Sequence, residues 1–136
     1  MKKTARRLAS ITAALLFLIL LAGCGGSQLP EGMEQSAAEA QAKAIIEAAN
    51  ALDYAKMQEL FSPNIPLTEE QWQLALEPIM DQLGKFQSYG KTAFATSETN
   101  DYGTLGVVAV ECQYENSKLV WKISIDEDGH IVGFVA

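Results

Sequence analysis

Residues 118–126 constrain the fold more tightly than any other stretch. Leu119, Trp121, Ile123 and Ile125 alternate with Lys118, Val120, Lys122, Ser124 and Asp126. Such period-two alternation predicts a strand with one buried and one wet face. Asp128-Gly129 follows at once and suits a type I′ hairpin turn. That turn sets Ile125 opposite Val132 and Ile123 opposite Phe134, so the buried face continues into the last strand. Ile131, Gly133 and Val135 then form an apolar outer stripe on that strand, which is expected to be a sheet edge.

Charge fixes an expected register for the preceding hairpin. With Asn116-Ser117 in the turn, Glu115 faces Lys118 and Glu111 faces Lys122, two opposite-charge pairs on the wet face. Val108, Val110, Cys112 and Tyr114 then turn inward, with Cys112 opposite Trp121. Cys112 reads as a buried apolar residue rather than a nucleophile. Residues 85–99 supply a further strand. A three-residue connection near Asn100-Asp101-Tyr102-Gly103 puts Phe94 opposite Val108 and Lys91 opposite Glu111. Gly90 in mid-strand suggests a bulge or a sharp bend.

The preceding half is helical. Glu39, Lys43 and Glu47 lie at i, i+4 spacing on one face of a helix over 37–50, and Ala40, Ala44, Ile45, Ala48 and Leu52 make an apolar stripe on another. Asn50 can end this helix and Asp53 can cap a second, through Phe61; a single bent helix is the alternative. Leu67-Thr68-Glu69-Glu70-Gln71-Trp72 carries a capping box (Thr68, Gln71) and a hydrophobic staple (Leu67, Trp72). Trp72, Leu76, Ile79, Met80 and Leu83 share a face. Gly84 ends the helix and Pro78 should kink it. The expected fold is therefore α+β: two or three N-terminal helices on a curved, four-stranded antiparallel sheet.

Upstream, residues 1–7 are basic and residues 8–21 form an uncharged apolar run. The run is short for a membrane span, which needs about 20 residues. Leu21-Ala22-Gly23-Cys24 resembles the bacterial lipobox, in which the leader is cut before a cysteine that becomes diacylated. A signal peptide over 1–23, cleaved between Gly23 and Cys24, is expected, with an uncleaved anchor as the alternative. Arg6-Arg7 raises the twin-arginine route, but the following residues favour general secretion. Acylation at Cys24 would hold the protein to the membrane on its extracytoplasmic face at about 0.8 kcal/mol per buried CH₂. Residues 24–36 read as a flexible tether and 37–136 as the folded domain.

Composition excludes several functions. Residues 24–136 hold six lysines, no arginine and all seventeen acidic residues, a formal charge of −11. Nucleic acid is a poor partner for such a surface, as is an anionic membrane lying flat against it. One cysteine and one histidine in the domain cannot make a zinc set. Asp126-Glu127-Asp128-Gly129 lacks the spaced ligands of an EF-hand loop.

Three local patterns coincide: Asn50-Ala-Leu-Asp53-Tyr54 leading to Leu60-Phe61, Gly84-Lys-Phe86, and Asp126-Glu-Asp-Gly129-His-Ile131-Val-Gly133-Phe134. Over residues 36–136 this is similar to a small bacterial envelope family of unknown function, in the nuclear-transport-factor-2-like (cystatin-like cone) superfamily. The resemblance implies a sheet wrapped around helices and a pocket, but no defined catalytic residues.

No catalytic signature, cofactor motif or metal set stands in the chain, and a non-catalytic role is expected. Tyr114 is the inward candidate an enzyme reading would need, with His130 at the hairpin end as a second, although a lone His there reads first as a solvated turn residue. The favoured expectation is a binding module with a pocket lined by Trp72, Tyr114, Trp121 and Phe134, taking a small apolar ligand. The alternative is an interaction module presenting its last strand to an envelope protein. Whether the inner face is a pocket or a filled core stays open at this level.

Overall fold

The computed structural model describes residues 28–136. The leader, the Gly23–Cys24 junction and the acylation candidate Cys24 lie outside the described residues. Three helices, α1 (Gln35–Asn50), α2 (Tyr54–Leu60) and α3 (Glu69–Leu83), precede four strands. These are β1 (Phe86–Thr99), β2 (Gly103–Tyr114), β3 (Lys118–Ile125) and β4 (Ile131–Val135), an antiparallel meander in chain order. The expected α+β class, with three helices on a four-stranded sheet, is what forms.

Local chemistry sets the helix ends. Asp53 caps α2 by accepting the Lys56 N–H. Thr68 and Gln71 complete the capping box of α3, each side chain accepting the other's backbone N–H. The α3 helix runs through Pro78 to Leu83, and Gly84 closes it with a φ of 80°.

The buried stripe of α1 lies further round than its sequence suggests. Ala38, Ala42, Ile45, Ile46, Ala48 and Ala49 are buried, whereas Ala40 is exposed. Leu52 falls beyond the helix end at a φ of 56° and is exposed. The adjacent pair Ile45-Ile46 draws the buried face to its own midline, since both bury more apolar area than any alanine. Ile79 likewise sits at the margin of the α3 stripe and is exposed, while Trp72, Leu76, Met80 and Leu83 are buried. The charged stripe of α1 faces β1. Glu39 accepts the Thr92 hydroxyl at 2.9 Å and pairs with Lys43 at 3.1 Å. Lys43 lies over the Tyr89 ring, and the Tyr89 hydroxyl donates to Glu47.

In the sheet, β1 and β2 pair as expected at Phe94–Val108, with register shifts around Gln87 and around Gly90-Lys91. The β2–β3 register is two residues away from the one charge pairing suggests. Gln113 faces Lys118, Glu111 faces Val120, Cys112 faces Leu119 and Val110 faces Trp121. A two-residue slip preserves every face. The cause is the loop, which is committed to the end of α3. Asn116 N–H donates to Leu83 O, its side-chain amide to Gln82 O, and Glu115 N–H to Lys85 O. Glu115 Oε1 accepts the Lys85 N–H. Four backbone or near-backbone bonds outweigh two exposed ion pairs.

The last hairpin also differs from expectation. Asp126 O accepts the Gly129 N–H, Asp126 N–H donates to His130 O, and only Gly129 has a positive φ. That is a three-residue loop closing on a glycine, not a type I′ turn. Ile123 faces Phe134 as expected, but Ile125 faces Ile131, and the irregularity falls at Val132. The extra residue reverses parity, so Ile131 is buried rather than part of an outer stripe. Its strand edge is also occupied: Phe61 bridges Ile131, and Ser62 N–H donates to Ile131 O.

Helix α1 starts at Gln35, and the stretch before it is docked. Leu29 and Met33 pack against the core beside Gly106, where any Cβ would strike Met33 Sδ. Among the described residues no helix is long and apolar enough to cross a membrane.

Candidate binding site

The inner face of the sheet gathers three of the four aromatic residues read from sequence. Trp121 donates its indole N–H to the Tyr114 hydroxyl at 3.0 Å, and that hydroxyl donates to Asn50 Oδ1 at 2.6 Å. Phe134 stacks on Trp121 with ring centroids 4.4 Å apart. Burial raises the Tyr114 hydroxyl to about 12 and the Cys112 thiol to about 11, so both stay protonated at neutral pH. Trp72 stands in the helical layer, edge-on to Phe61 at 4.9 Å. Tyr114, Trp121 and Trp72 are buried and belong to the core cluster; Phe134 is half-buried against it. The Trp72 indole N–H and the Tyr54 hydroxyl are buried with no hydrogen-bond partner among the described residues.

The outer face of the sheet holds a hollow of about 430 Å³. Its floor is the cross-strand pair Ala93–Ala109, with Val120 beside it. Lys91 from β1 and Lys118 and Lys122 from β3 ring the floor. Alanines set among lysines make a depression because the floor side chains end at Cβ while the rim side chains rise several ångströms. Glu111 also lines it. Its carboxylate accepts the Lys91 N–H at 3.2 Å and pairs with Lys118 at 3.6 Å. The Lys91 N–H first, and the Lys118 ammonium after it, hold this carboxyl below the usual range. Burial lowers the Lys122 ammonium. Sequence parity brings Lys91, Glu111 and Lys122 onto one wet row; the alanine floor between them emerges only from the pairing of Ala93 with Ala109.

A second hollow, of about 470 Å³, lies at the other end, between residues 30–41 and the β3–β4 turn. Glu31, Glu34, Asp126, Glu127 and Asp128 line it. Gln41 ties α1 to this turn through Gly129 O. His130 is exposed at the same turn, the solvated turn residue the sequence suggests. Asp126, Asp128 and His130 bring ligand atoms within 4.8 Å of one another. Asp126 Oδ1 already accepts the N–H groups of Asp128 and His130, which is how the turn is held.

Fold and site together define a small α+β domain, helices on one sheet face and an open, lysine-rimmed hollow on the other. The chain belongs to the DUF3887 family, proteins of unknown function, which it matches over residues 42–134. No curated protein matches it. It is similar to a protein from Ruminococcus gnavus ATCC 29149 solved by NMR, at 27% identity and a TM-score of 0.68. That likeness covers 82% of this chain and 97% of the other.

Proposed function

We propose that this protein is a non-catalytic binding module, tethered through an acylated Cys24 to the extracytoplasmic face of the cell membrane, and that it binds on the outer face of its sheet. One observation carries the binding reading. The aromatic inner face is occupied by its own hydrogen bonds and ring stacking, whereas the outer face is open over Ala93 and Ala109. The order of helices followed by a bulged meander supports the likeness to the nuclear-transport-factor-2-like cones, with the usual inner pocket filled by Tyr114 and Trp121. The lipobox-like Leu21-Ala22-Gly23-Cys24 supports the tether.

Native mass spectrometry of the protein after incubation with culture and membrane extract tests the binding reading. A discrete small-molecule adduct is expected, lost in Ala109→Trp, which fills the hollow. A clean apo monomer would sink it. Metabolic labelling with an alkynyl fatty acid tests the tether: label should vanish in Cys24→Ala.

A further inference from the structure

We infer that a third hollow, at the junction of α1, α3 and β1, binds an apolar molecule carrying an uncharged acceptor oxygen, of the class of a medium-chain amide or ester. It stands apart from the outer-face hollow and does not rest on it. Its volume is about 350 Å³, within the range of small-molecule sites, about 300–1,000 Å³. Leu52, Met80 and Phe86 give it an apolar wall, Asn50, Asp81, Lys85 and Glu115 its polar groups, and Gly84 only backbone.

Leu52 is the first sign of a use. Helix α1 ends in a Schellman pair, with Asp53 N–H donating to Ala48 O and Leu52 N–H to Ala49 O. This puts Leu52 at the left-handed position that glycine or asparagine ordinarily fills, with a φ of 56°. Burial does not offset the strain: the side chain is 39% exposed and stands outside the core cluster and the residues packed on it. A strained leucine that the core does not hold is accounted for by the apolar surface it presents to the hollow.

Asn50 is the second. The Trp121 indole can only donate, so the Tyr114 hydroxyl, having accepted its N–H, gives its own proton to Asn50 Oδ1. That polarity fixes the amide. Oδ1 turns to Tyr114, and the Nδ2 N–H pair, which has no partner among the described residues, is left for the hollow. Two donors beside an apolar wall call for an acceptor oxygen on an apolar body. Charge removes the other classes. Asp81 and Glu115 outnumber Lys85, so a carboxylate meets a net negative rim, and an ammonium ion has no lone pair to offer Asn50.

Two-dimensional NMR titration with N,N-dimethylhexanamide, and in parallel with hexanoate, tests this. The hexanamide should shift the backbone N–H resonances of Leu52 and Phe86 and bind several-fold more tightly than hexanoate. It should also move the Trp121 indole resonance and leave that of Trp72 in place, because an acceptor at Nδ2 polarises the chain of bonds through Tyr114. Asn50→Asp keeps an acceptor for Tyr114 and removes both donors; it should weaken the hexanamide about tenfold, the value of one hydrogen bond. Leu52→Gly should weaken it several-fold while raising the melting temperature of the free protein, a gain that misfolding cannot imitate. A lower melting temperature in Leu52→Gly would make Leu52 a packing residue, and unchanged affinity in Asn50→Asp would leave the donors unused. Either result overturns the site, as do shifts confined to the outer sheet face. Equal affinity for hexanoate overturns the ligand class.

Discussion

The indole N–H of Trp121 donates to the hydroxyl of Tyr114, seven residues earlier on the neighbouring strand, at 3.0 Å. Because Tyr114 donates onward to Asn50, the last residue of α1, one chain of bonds runs from β3 through β2 into the helix. Tyr114→Phe removes the middle link and strands a buried indole N–H. It should cost about 1–3 kcal/mol of unfolding free energy. Urea denaturation of Tyr114→Phe, Trp121→Phe and the double variant checks this; the double should cost less than the two singles together.

Trp72 supplies the contrast. Its indole N–H has no partner among the described residues. Trp72→Phe therefore loses apolar contact with Phe61 but no hydrogen bond, and relieves an orphaned donor. We expect it to be milder than Trp121→Phe by about 1 kcal/mol or more in the same urea experiment.

Gly90 lies under the Glu111 carboxylate, and a Cβ there would contact Glu111 Oε1. The carboxylate can swing aside, but only by releasing the Lys91 N–H. Gly90→Ala should cost about 1 kcal/mol, the value of that bond, and almost nothing in a Glu111→Gln background whose bond is already weakened. Equal cost in both backgrounds would show that backbone conformation, not the carboxylate, requires the glycine.

The carboxyls of Glu39 and Glu111 are held below the usual range. For Glu39 the Thr92 hydroxyl acts first and Lys43 next; for Glu111, the Lys91 N–H and then Lys118. A carboxyl whose folded pKa is depressed stabilises the fold above its unfolded pKa, and loses that contribution as pH falls through the folded one. Stability should therefore decline below about pH 4.5, and the decline should be shallower in Glu39→Gln and Glu111→Gln. Thermal melts from pH 7 to pH 3 read it directly.

Cys112 is fully buried, and burial sets its thiol at about 11. In Cys24→Ala, Cys112 should react with a thiol reagent at pH 8 only as fast as the protein opens. Reaction within the mixing time would contradict its place in the core.

Much of this was legible in the sequence, and the misses share a cause. The inner face of β3, the Phe94–Val108 pairing and the Thr68–Gln71 capping box all follow from patterns within a few residues. The β2–β3 register is not legible locally because Asn116 bonds Gln82 and Leu83 at the end of α3 and Glu115 bonds Lys85 just past it, thirty or more residues earlier in the chain. Strict alternation puts Ile131 outward, but one extra residue at Val132 reverses its parity. In the candidate site, three lysines and a glutamate were visible as a wet row, yet a hollow is made by what is short between them. Ala93 and Ala109 meet only through strand pairing, sixteen residues apart.

The docking of residues 28–34 bears on how a membrane-bound form would stand. The Gln28 carbonyl accepts the Thr96 hydroxyl at 2.7 Å, and Leu29 and Met33 are seated on the core. Only four chain steps then lie between Gln28 and Cys24, at most about 14 Å when fully extended. With an acylated Cys24, the domain would be moored rather than leashed. Its acidic end, at Glu31, Glu34 and the β3–β4 turn, would face the lipid headgroups, and like charge would hold it upright. The attachment would then set the bearing of the outer sheet face as well as its address.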